Sequence, residues 1–390
     1  MSDDRARVDA LVTRLLAEHD PHGDPKEFLA GRFDLGLAWV WFPEGLGGLG
    51  VERGLQPLVE QRLTAADAPN PARFNTLGVG MGAHVLMAHA TPEQQHRWLR
   101  PMFTSEDIWC QLFSEPGAGS DMAALAARAV RDGDEWMING QKVWTTLAHI
   151  AKWGMLVCRT DPDVPKHQGM TYFIVDMTAP GVEVRPLRQI TGEAEFNEVY
   201  FTDARIPDRD RIGEVGDGWR IALTTLMNER IAIGGTIAPR GSGPIGEAVR
   251  IWKEYGHGDP AARDRLMSLW VESEAARLTN LRAAHQRGRG TPGPEGSTSK
   301  LVYADLNKRI YEFVVELMGP DGMLYDSYEA IRPDEFTLHP PTKAFLRARA
   351  NSIEGGTSEI MKNILGERVL GLAGEPRVDK DLPWSKVPRS

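Results

Sequence analysis

The chain has 390 residues, of which 42% are hydrophobic and 25% charged, a balance typical of a globular protein with two or three domains. Its formal net charge of -9 argues against nucleic-acid binding, because phosphate contacts require clustered lysine and arginine. Its two cysteines, Cys110 and Cys158, exclude a disulfide framework and zinc-ligand spacing; their apolar surroundings predict buried free thiols. No apolar targeting segment or 18-residue apolar run occurs, so we expect no membrane helix and a cytoplasmic location. Since zinc-ligand spacing is absent, we also expect no metal site.

The first hundred residues are predicted to form helices and loops. Apolar residues repeat at helical spacing in residues 8–18, and the apolar, glycine-containing segment 77–90 is expected to be a buried helix. Residues 43–50 contain five residues that break regular structure, which indicates a loop. Thr91 followed by Pro92 and Glu93 is typical of a helix start with Thr91 as the N-cap, so a helix to residue 103 should follow.

Short segments rich in β-branched and aromatic residues begin after residue 107. Turn-forming residues separate them at 132–134, 139–140, 179–181 and 203–207. Regular short strands at this spacing predict a β-sandwich or a barrel. The predicted strands are residues 128–130, 135–138, 143–146, 154–159, 171–176, 182–185 and 197–201.

The helical period returns at residue 219 and continues towards the C-terminus. Long amphipathic helices with short links indicate a helical bundle. The succession of helices, strands and helices favours three segregated units over an alternating β/α sheet. The predicted helices are residues 219–233, 246–255, 260–287, 297–318, 341–352 and 358–370, with a loop at 288–296.

Residues 109–121, WCQLFSEPGAGSD, form the first segment with chemical potential. Its proline and two glycines keep residues 115–120 out of regular structure, and such a turn exposes backbone N–H groups that can cradle an anionic oxygen. Ser114 and Ser120 add hydroxyl donors. A plain strand-to-loop turn has the same local composition. The segment lacks the residues of a Walker loop and of a dinucleotide-binding GxGxxG motif.

Three runs together resemble the acyl-CoA dehydrogenase family of flavoenzymes: SEPGAGSD at 114–121, NGQKVWTT at 139–146 and EGGTSEI at 354–360. They occur in the family's order and spacing and span most of the chain. The resemblance implies an α+β protein with a helical N-terminal domain (1–107), a β-barrel middle domain (108–216) and a C-terminal four-helix bundle (217–390). Within the family, the chain is most similar to actinobacterial members acting on branched or steroid side-chain acyl thioesters.

The resemblance also implies FAD as the cofactor and an acyl-CoA as the substrate. Trp144 would lie against the isoalloxazine face, although an aromatic residue packed in a core is the alternative. Thr145 and Thr146 would bond the flavin N5 edge, and Thr357 and Glu359 would meet the adenosine part. The other implied contacts are Gln111, Phe113, Ser114, Gly119 and Ser120 with the flavin and the thioester end of the substrate, and Glu316, Gly319 and Pro320 with a neighbouring subunit's flavin.

The catalytic base is the point at which the chain departs from most of the family. Gly355 occupies the position of the commonest base, directly before Gly-Thr. A minority of the family uses a glutamate directly before an arginine on the first bundle helix, which Glu229 and Arg230 match. Dehydrogenation would then proceed by proton abstraction at Glu229 and hydride transfer to flavin N5. Glu354 is the runner-up base, and the Gly355 backbone N–H is a candidate donor to the thioester oxygen.

Helical spacing supports Glu229 independently. Ala222, Leu226, Glu229 and Ile233 share one helix face, so a carboxylate interrupts an apolar stripe. Desolvation should raise its pKa towards neutrality, as a base requires. An ion pair with a nearby arginine inside the bundle is the alternative. Arg230 either helps to fix Glu229 and contact CoA, or forms a structural ion pair.

Two further departures concern assembly. The family's Arg-x-x-Phe-Gly stretch is absent from residues 255–265, where Arg263 or Arg265 could substitute, and residues 234–244 are rich in glycine and proline. These differences put the usual homotetramer contacts in question and are compatible with a heterotetramer as well as a homo-oligomer. The expected electron acceptor is an electron-transfer flavoprotein. A flavin-dependent oxidase or monooxygenase, and a partner subunit of a heteromeric enzyme, are the alternatives.

Overall fold

The computed structural model describes residues 2–234, 239–256, 258–287, 295–325, 340–377 and 379–388. Its N-terminal part is helical, and the helices enclose two apolar clusters, one of them continuous with the adjoining sheet. The helices are α1 (Ser2–Glu18), α2 (Pro25–Asp34), α3 (Gln56–Ala65), α4 (Pro71–Leu77), α5 (Ala83–His89) and α6 (Pro92–Phe103), with a π-helix at Gly78–Gly82.

The start of α6 confirms the predicted cap. The Thr91 hydroxyl accepts a hydrogen bond from the Gln94 N–H at 3.3 Å, and the Gln94 side chain accepts one from the Thr91 N–H at 2.9 Å. The predicted helix over 77–90 is confirmed as one helical run to residue 89, made of the end of α4, the π-helix and α5. Asn75 leaves the helical conformation just before it and donates to the carbonyls of Met102 and Asp107, which ties α4 to the entry of the sheet.

The middle part is one eight-stranded mixed sheet. Its hydrogen-bonded order is β6-β7-β3-β2-β4-β5-β8, with β1 parallel to β4. Buried side chains from six strands meet in a single cluster, as expected for a sheet that wraps around its own core in the manner of a barrel. The strands are β1 (Trp109–Leu112), β2 (Arg128–Asp132), β3 (Glu135–Thr146), β4 (Trp153–Arg159), β5 (Met170–Asp176), β6 (Val182–Pro186), β7 (Phe196–Pro207) and β8 (Arg211–Ile212).

Two predicted turns are wrong because β3 and β7 are long, paired strands. Residues 139–140 lie inside β3, where Gly140 adopts a φ of 149° at an irregularity in the pairing. A Cβ there would lie 2.7 Å from Ala127, so glycine serves close packing and not chain reversal. Asn139 and Asp203 bond each other across the two strands, at 2.9 and 3.0 Å, so the 203–207 segment also continues its strand.

The C-terminal part is helical, which completes and confirms the predicted fold class. Helices α8, α9 and α10 share one apolar core, while α7 packs against α5, β5 and α10. Residues 288–294 of the predicted loop lie outside the described residues, and the predicted helix over 341–352 is α11 followed by a 3-10 turn. The helices are α7 (Gly218–Gly234), α8 (Pro244–Tyr255), α9 (Pro260–Arg287), α10 (Glu295–Met318), α11 (Pro341–Arg347) and α12 (Ser358–Arg368).

None of the helices in the described part of the chain is long and apolar enough to cross a lipid bilayer.

Candidate functional site

A buried ion pair organises the glycine-rich loop after β1. The Lys142 ammonium, fully buried on β3, lies 2.8 Å from the Glu115 carboxylate and donates to the Phe113 carbonyl at 3.0 Å. Glu115 also accepts from the N–H groups of Ala126 and Ala127, at 2.6 and 2.9 Å. Because these donors compensate the buried carboxylate, the pair fixes where the loop leaves the sheet and where β3 passes beneath it.

The other side of this loop faces open space. Gly119 and Ser120 are exposed, and a Cβ added to Gly119 would meet no atom within 4 Å. Gln111 and Ser114 are half-buried, and the Ser114 carbonyl accepts from Val143 at 2.9 Å. Phe113 is buried, with its ring edge-on to Tyr172 at 5.9 Å, so the Phe113 side chain belongs to the core.

Trp144 combines a strained backbone with an exposed ring. Its φ is 60°, a left-handed conformation that is uncommon for non-glycine residues, and 58% of its surface is exposed. Thr146 shares its side of β3 and is half-buried, whereas Thr145 is buried and points the other way. The Thr145 hydroxyl has no hydrogen-bond partner among the described residues, and it is closed to solvent. The open face therefore presents Trp144 and Thr146, whereas the Thr145 hydroxyl is turned into the core.

Arg347 of α11 links this face to the C-terminal turn. The Trp144 ring is edge-on to Phe196 at 6.0 Å, and the Arg347 guanidinium lies over Phe196, 5.6 Å from the ring centroid. Arg347 also lies 3.3 Å from Glu195 and 3.0 Å from Glu354. Burial raises the pKa of Glu195, while Arg347 opposes the shift. The guanidinium thus joins the middle and C-terminal parts of the site.

The runner-up base, Glu354, is committed to structural bonds. Both of its carboxylate oxygens accept from Arg347, at 3.2 and 3.0 Å, and one also accepts from Asn351 at 2.7 Å. Gly355 and Gly356 follow with φ of 62° and 93°, so this turn requires glycine. Lys300, fully buried on α10, donates a hydrogen bond to the Gly356 carbonyl.

Glu229 is half-buried on α7, on the same helix face as buried Ala222 and partly buried Leu226. Helix α7 packs against α10, which carries Lys300, and the charge of Glu229 acts electrostatically on the Lys300 ammonium. The side chains of Arg230 and Ile233 lie outside the described residues.

The residues expected to reach the distal part of a cofactor occupy helix ends. Thr357 caps α12 by accepting from the Ile360 N–H at 3.1 Å, and Glu359 is exposed. Glu316 is exposed and pairs with Arg265 at 2.5 Å, one of the two arginines predicted to substitute for the missing family motif. Gly319 and Pro320 are also exposed, and Gly319 has a φ of 56°.

The two thiols behave as predicted. Cys110 and Cys158 are free and fully buried, and burial raises the pKa of both, that of Cys158 to about 12. They are therefore protonated and unreactive at neutral pH. Within the described ranges, no three side chains of the metal-binding types come together.

Sequence reasoning missed three cations near the candidate site, the buried Lys142 and Lys300 and the partly buried Arg347. A partial signal existed for Lys300, which shares one face of α10 with buried Ala304 and Asn307. Arg347 could not be found this way, because its partners are Glu195 just before β7, Phe196 at the start of β7, and Glu354 in the turn after α11.

The whole chain is similar to known acyl-CoA dehydrogenases. Sequence models of the family's N-terminal, middle and C-terminal domains match residues 5–106, 110–204 and 216–370. FadE34 of Mycobacterium tuberculosis is 40% identical over 341 residues, 87% of this chain, which spans only 45% of that protein's length. IpdE1 of the same organism is 36% identical over 353 residues, covering 88% of this chain and 86% of that protein. The ChsE4–ChsE5 complex, also from M. tuberculosis, has a chain that superimposes with a TM-score of 0.71 at 26% identity, covering 96% of both chains.

The chain belongs to the acyl-CoA dehydrogenase family of flavoprotein oxidoreductases, in which FAD is the usual cofactor. The residues present fit a flavin. An exposed indole at a strained position offers a flat apolar surface to a planar ring, and the loop beside it presents unhindered backbone at Gly119.

Proposed function

We propose that the protein removes the α-proton and the β-hydrogen of an acyl-CoA thioester, giving the trans-2-enoyl-CoA. The observation that carries the proposal is the set of contacts at the Gly355–Gly356 turn. Lys300 bonds the Gly356 carbonyl and interacts electrostatically with Glu229. Arg347 joins Glu354 to Phe196, against which the Trp144 ring packs. The α-proton of a thioester is too weakly acidic to leave without help. A base and a stabilised thioester oxygen are therefore both required.

Glu229 is the proposed base. Burial beside apolar residues of α7 suits a carboxylate that must take a proton near neutral pH. Both carboxylate oxygens of Glu354, by contrast, are already engaged in hydrogen bonds from Arg347 and Asn351. The proposed base therefore lies on helix α7, because the usual base position in the C-terminal loop is occupied by Gly355, which has no side chain.

The proposed donor to the thioester oxygen is the Gly355 N–H. A donor fixed before reaction stabilises the negative charge that develops as the proton leaves, without cost for reorientation. Arg347 holds the residue before it through Glu354, and Lys300 holds the residue after it. The turn is thus anchored on both sides.

The flavin would lie against Trp144, with Thr146 and Ser120 at the edge where the substrate enters. When bound, FAD supplies the hydride acceptor at N5. The two threonines differ: the side chain of Thr146 faces this space, whereas Thr145 can offer its backbone but not its buried hydroxyl. Gln111, Ser114 and Gly119 border the same space, and Arg230 is the proposed contact to CoA.

The distal part of the cofactor would meet Thr357 and Glu359 of one subunit. Glu316, Gly319 and Pro320 would receive it from a neighbouring subunit, with Arg265 in place of the missing family arginine. We propose a homo-oligomer or a heterotetramer, in line with the heteromeric ChsE4–ChsE5 relative, and an electron-transfer flavoprotein as the electron acceptor. An apolar stripe on α9, formed by exposed Met267, Val271 and Leu278, supports association.

Anaerobic titration of the purified holoprotein with short, branched and steroid side-chain acyl-CoAs tests the function. Loss of the oxidised flavin absorption band with one of these thioesters is the expected result, with bulky acyl groups preferred. If flavin that has been reduced chemically with dithionite is instead oxidised rapidly by oxygen in the absence of an acyl-CoA, the protein is an oxidase or monooxygenase. Purification without flavin, and flavin uptake only with a second chain, would identify a partner subunit.

A further inference from the structure

Lys300 occupies an unusual place for a lysine. Its side chain is fully buried on α10, and its ammonium donates to the Gly356 carbonyl, directly after the proposed thioester donor. Removing an ammonium from water costs several kcal/mol unless partners compensate it. A neutral side chain of similar length would fill the same volume without that cost, so the charge itself requires an explanation.

Carboxylates from three separate elements act electrostatically on this ammonium. Burial lowers the pKa of Lys300, and Lys308 adds to this shift, while the carboxylates of Glu354 in the turn, Glu229 on α7 and Glu359 on α12 oppose it. Of the three, Glu354 is bonded to Arg347 and Asn351, and Glu359 is exposed. Glu229 is the one that the proposed reaction uses.

We propose that Lys300 is a positioning residue for the dehydrogenation, acting through two groups at once. It locks the Gly355–Gly356 turn so that the Gly355 N–H points to the thioester oxygen, and its charge keeps Glu229 ionised before substrate binds. The inference rests on the proposed function and adds a residue to it.

The first effect follows from the backbone of the turn. Two consecutive glycines with positive φ have more conformational freedom than any other residue pair. The Lys300 ammonium is a buried, charged donor, and its hydrogen bond to the Gly356 carbonyl restricts the peptide group that joins Gly356 to Thr357. Without it, the N–H would sample other orientations and the transition state would have to reorganise it.

The second effect is electrostatic. Burial alone would push the pKa of a carboxylate up and leave much of it protonated and unable to accept a proton. A cation close by favours the ionised form and lowers that pKa. Loss of the Lys300 charge should therefore move the acid limb of the pH profile to higher pH.

The test compares Lys300→Met with Lys300→Arg in the holoprotein. Flavin reduction by an acyl-CoA that reduces the wild type is followed by anaerobic stopped flow from pH 5.5 to pH 9. We expect Lys300→Met to lower the limiting rate about 10–100-fold, less than the roughly 10²–10³-fold cost of removing an oxyanion donor, because the Gly355 N–H stays but is less well fixed. The apparent substrate affinity should change less than about threefold. The acid limb should shift upwards in Lys300→Met and return towards the wild-type position in Lys300→Arg.

A second readout does not depend on turnover. The product class, a 2-enoyl-CoA, perturbs the flavin absorption spectrum when bound, and the pH dependence of that perturbation should shift in the same direction in Lys300→Met. Lys253→Met removes an exposed charge from α8 and serves as the matched control, with no expected change. Urea unfolding of each variant measures stability separately.

The outcomes are distinct. A folded Lys300→Met with wild-type rate and pH profile overturns the inference while the proposed function stands. If no acyl-CoA reduces the wild-type flavin, the proposed function fails and the inference fails with it. If Lys300→Met does not fold, Lys300→Gln takes its place. Failure of both variants to fold, with Lys300→Arg unchanged in every readout, assigns Lys300 to folding alone and also overturns the inference.

Discussion

Replacement of Glu229 by glutamine tests the proposed mechanism most directly. The amide keeps the shape of the side chain and removes its basicity, and Glu229 is half-buried on α7 without being part of the proposed flavin contact surface. General-base catalysis contributes roughly 10²–10⁴-fold, so Glu229→Gln should slow flavin reduction by that factor, about 3–5 kcal/mol in the barrier. Flavin content should stay at the wild-type level.

Glu354→Gln provides the comparison. The amide can still accept a hydrogen bond from Arg347, which also keeps its contact with Glu195, so the turn should stay in place and flavin reduction should slow less than about tenfold. Glu272→Gln, which breaks an exposed ion pair with Arg309 on the bundle, controls for loss of a helical carboxylate. Anaerobic stopped flow with one acyl-CoA measures all three. If Glu354→Gln abolishes flavin reduction and Glu229→Gln does not, the assignment of the base is refuted.

Three further predictions concern stability and flavin binding. Lys142→Met should lower the free energy of unfolding by about 3–5 kcal/mol and release flavin, because Glu115 stays buried without its cation, and adding Glu115→Gln should restore part of the loss in urea unfolding. Trp144→Ala should weaken flavin binding about tenfold, roughly 1.4 kcal/mol, yet leave the apoprotein's stability within about 1 kcal/mol, because the ring is 58% exposed; calorimetry and apoprotein unfolding measure the two effects. Burial lowers the pKa of His84 to about 4. The unfolded chain therefore binds this proton below about pH 6.5 and the folded one does not, so stability falls from pH 7 to pH 5, by about 2 kcal/mol from this residue. Urea unfolding of His84→Phe at both pH values should lack that part of the decrease, and an unchanged decrease would show that other groups cause it.

The sequence alone determined the order of the helical N-terminal part, the β-sheet part and the helical C-terminal part. Periodic apolar residues predicted α9 at the bounds that the structure shows, and Thr91 predicted the start of α6, because such signals lie within a few residues of one another. The three family motifs identified the kind of site in the same way. Short-range turn signals failed within β3, where Gly140 serves contact with Ala127 from another segment.

Only the tertiary structure decided how the site is held together. Lys142 with Glu115, and Arg347 with Glu195 and Glu354, join residues that lie far apart in the chain or on different elements. The charge of Lys300 interacts electrostatically with carboxylates of three elements, and the residues next to Lys300 in the sequence do not indicate which carboxylates these are. A buried charge is stable only when partner groups lie next to it, and tertiary packing decides whether residues that are distant in the sequence do so. The sequence therefore identified the candidate base Glu229, while packing alone showed which neighbours surround it and why Glu354 is engaged elsewhere.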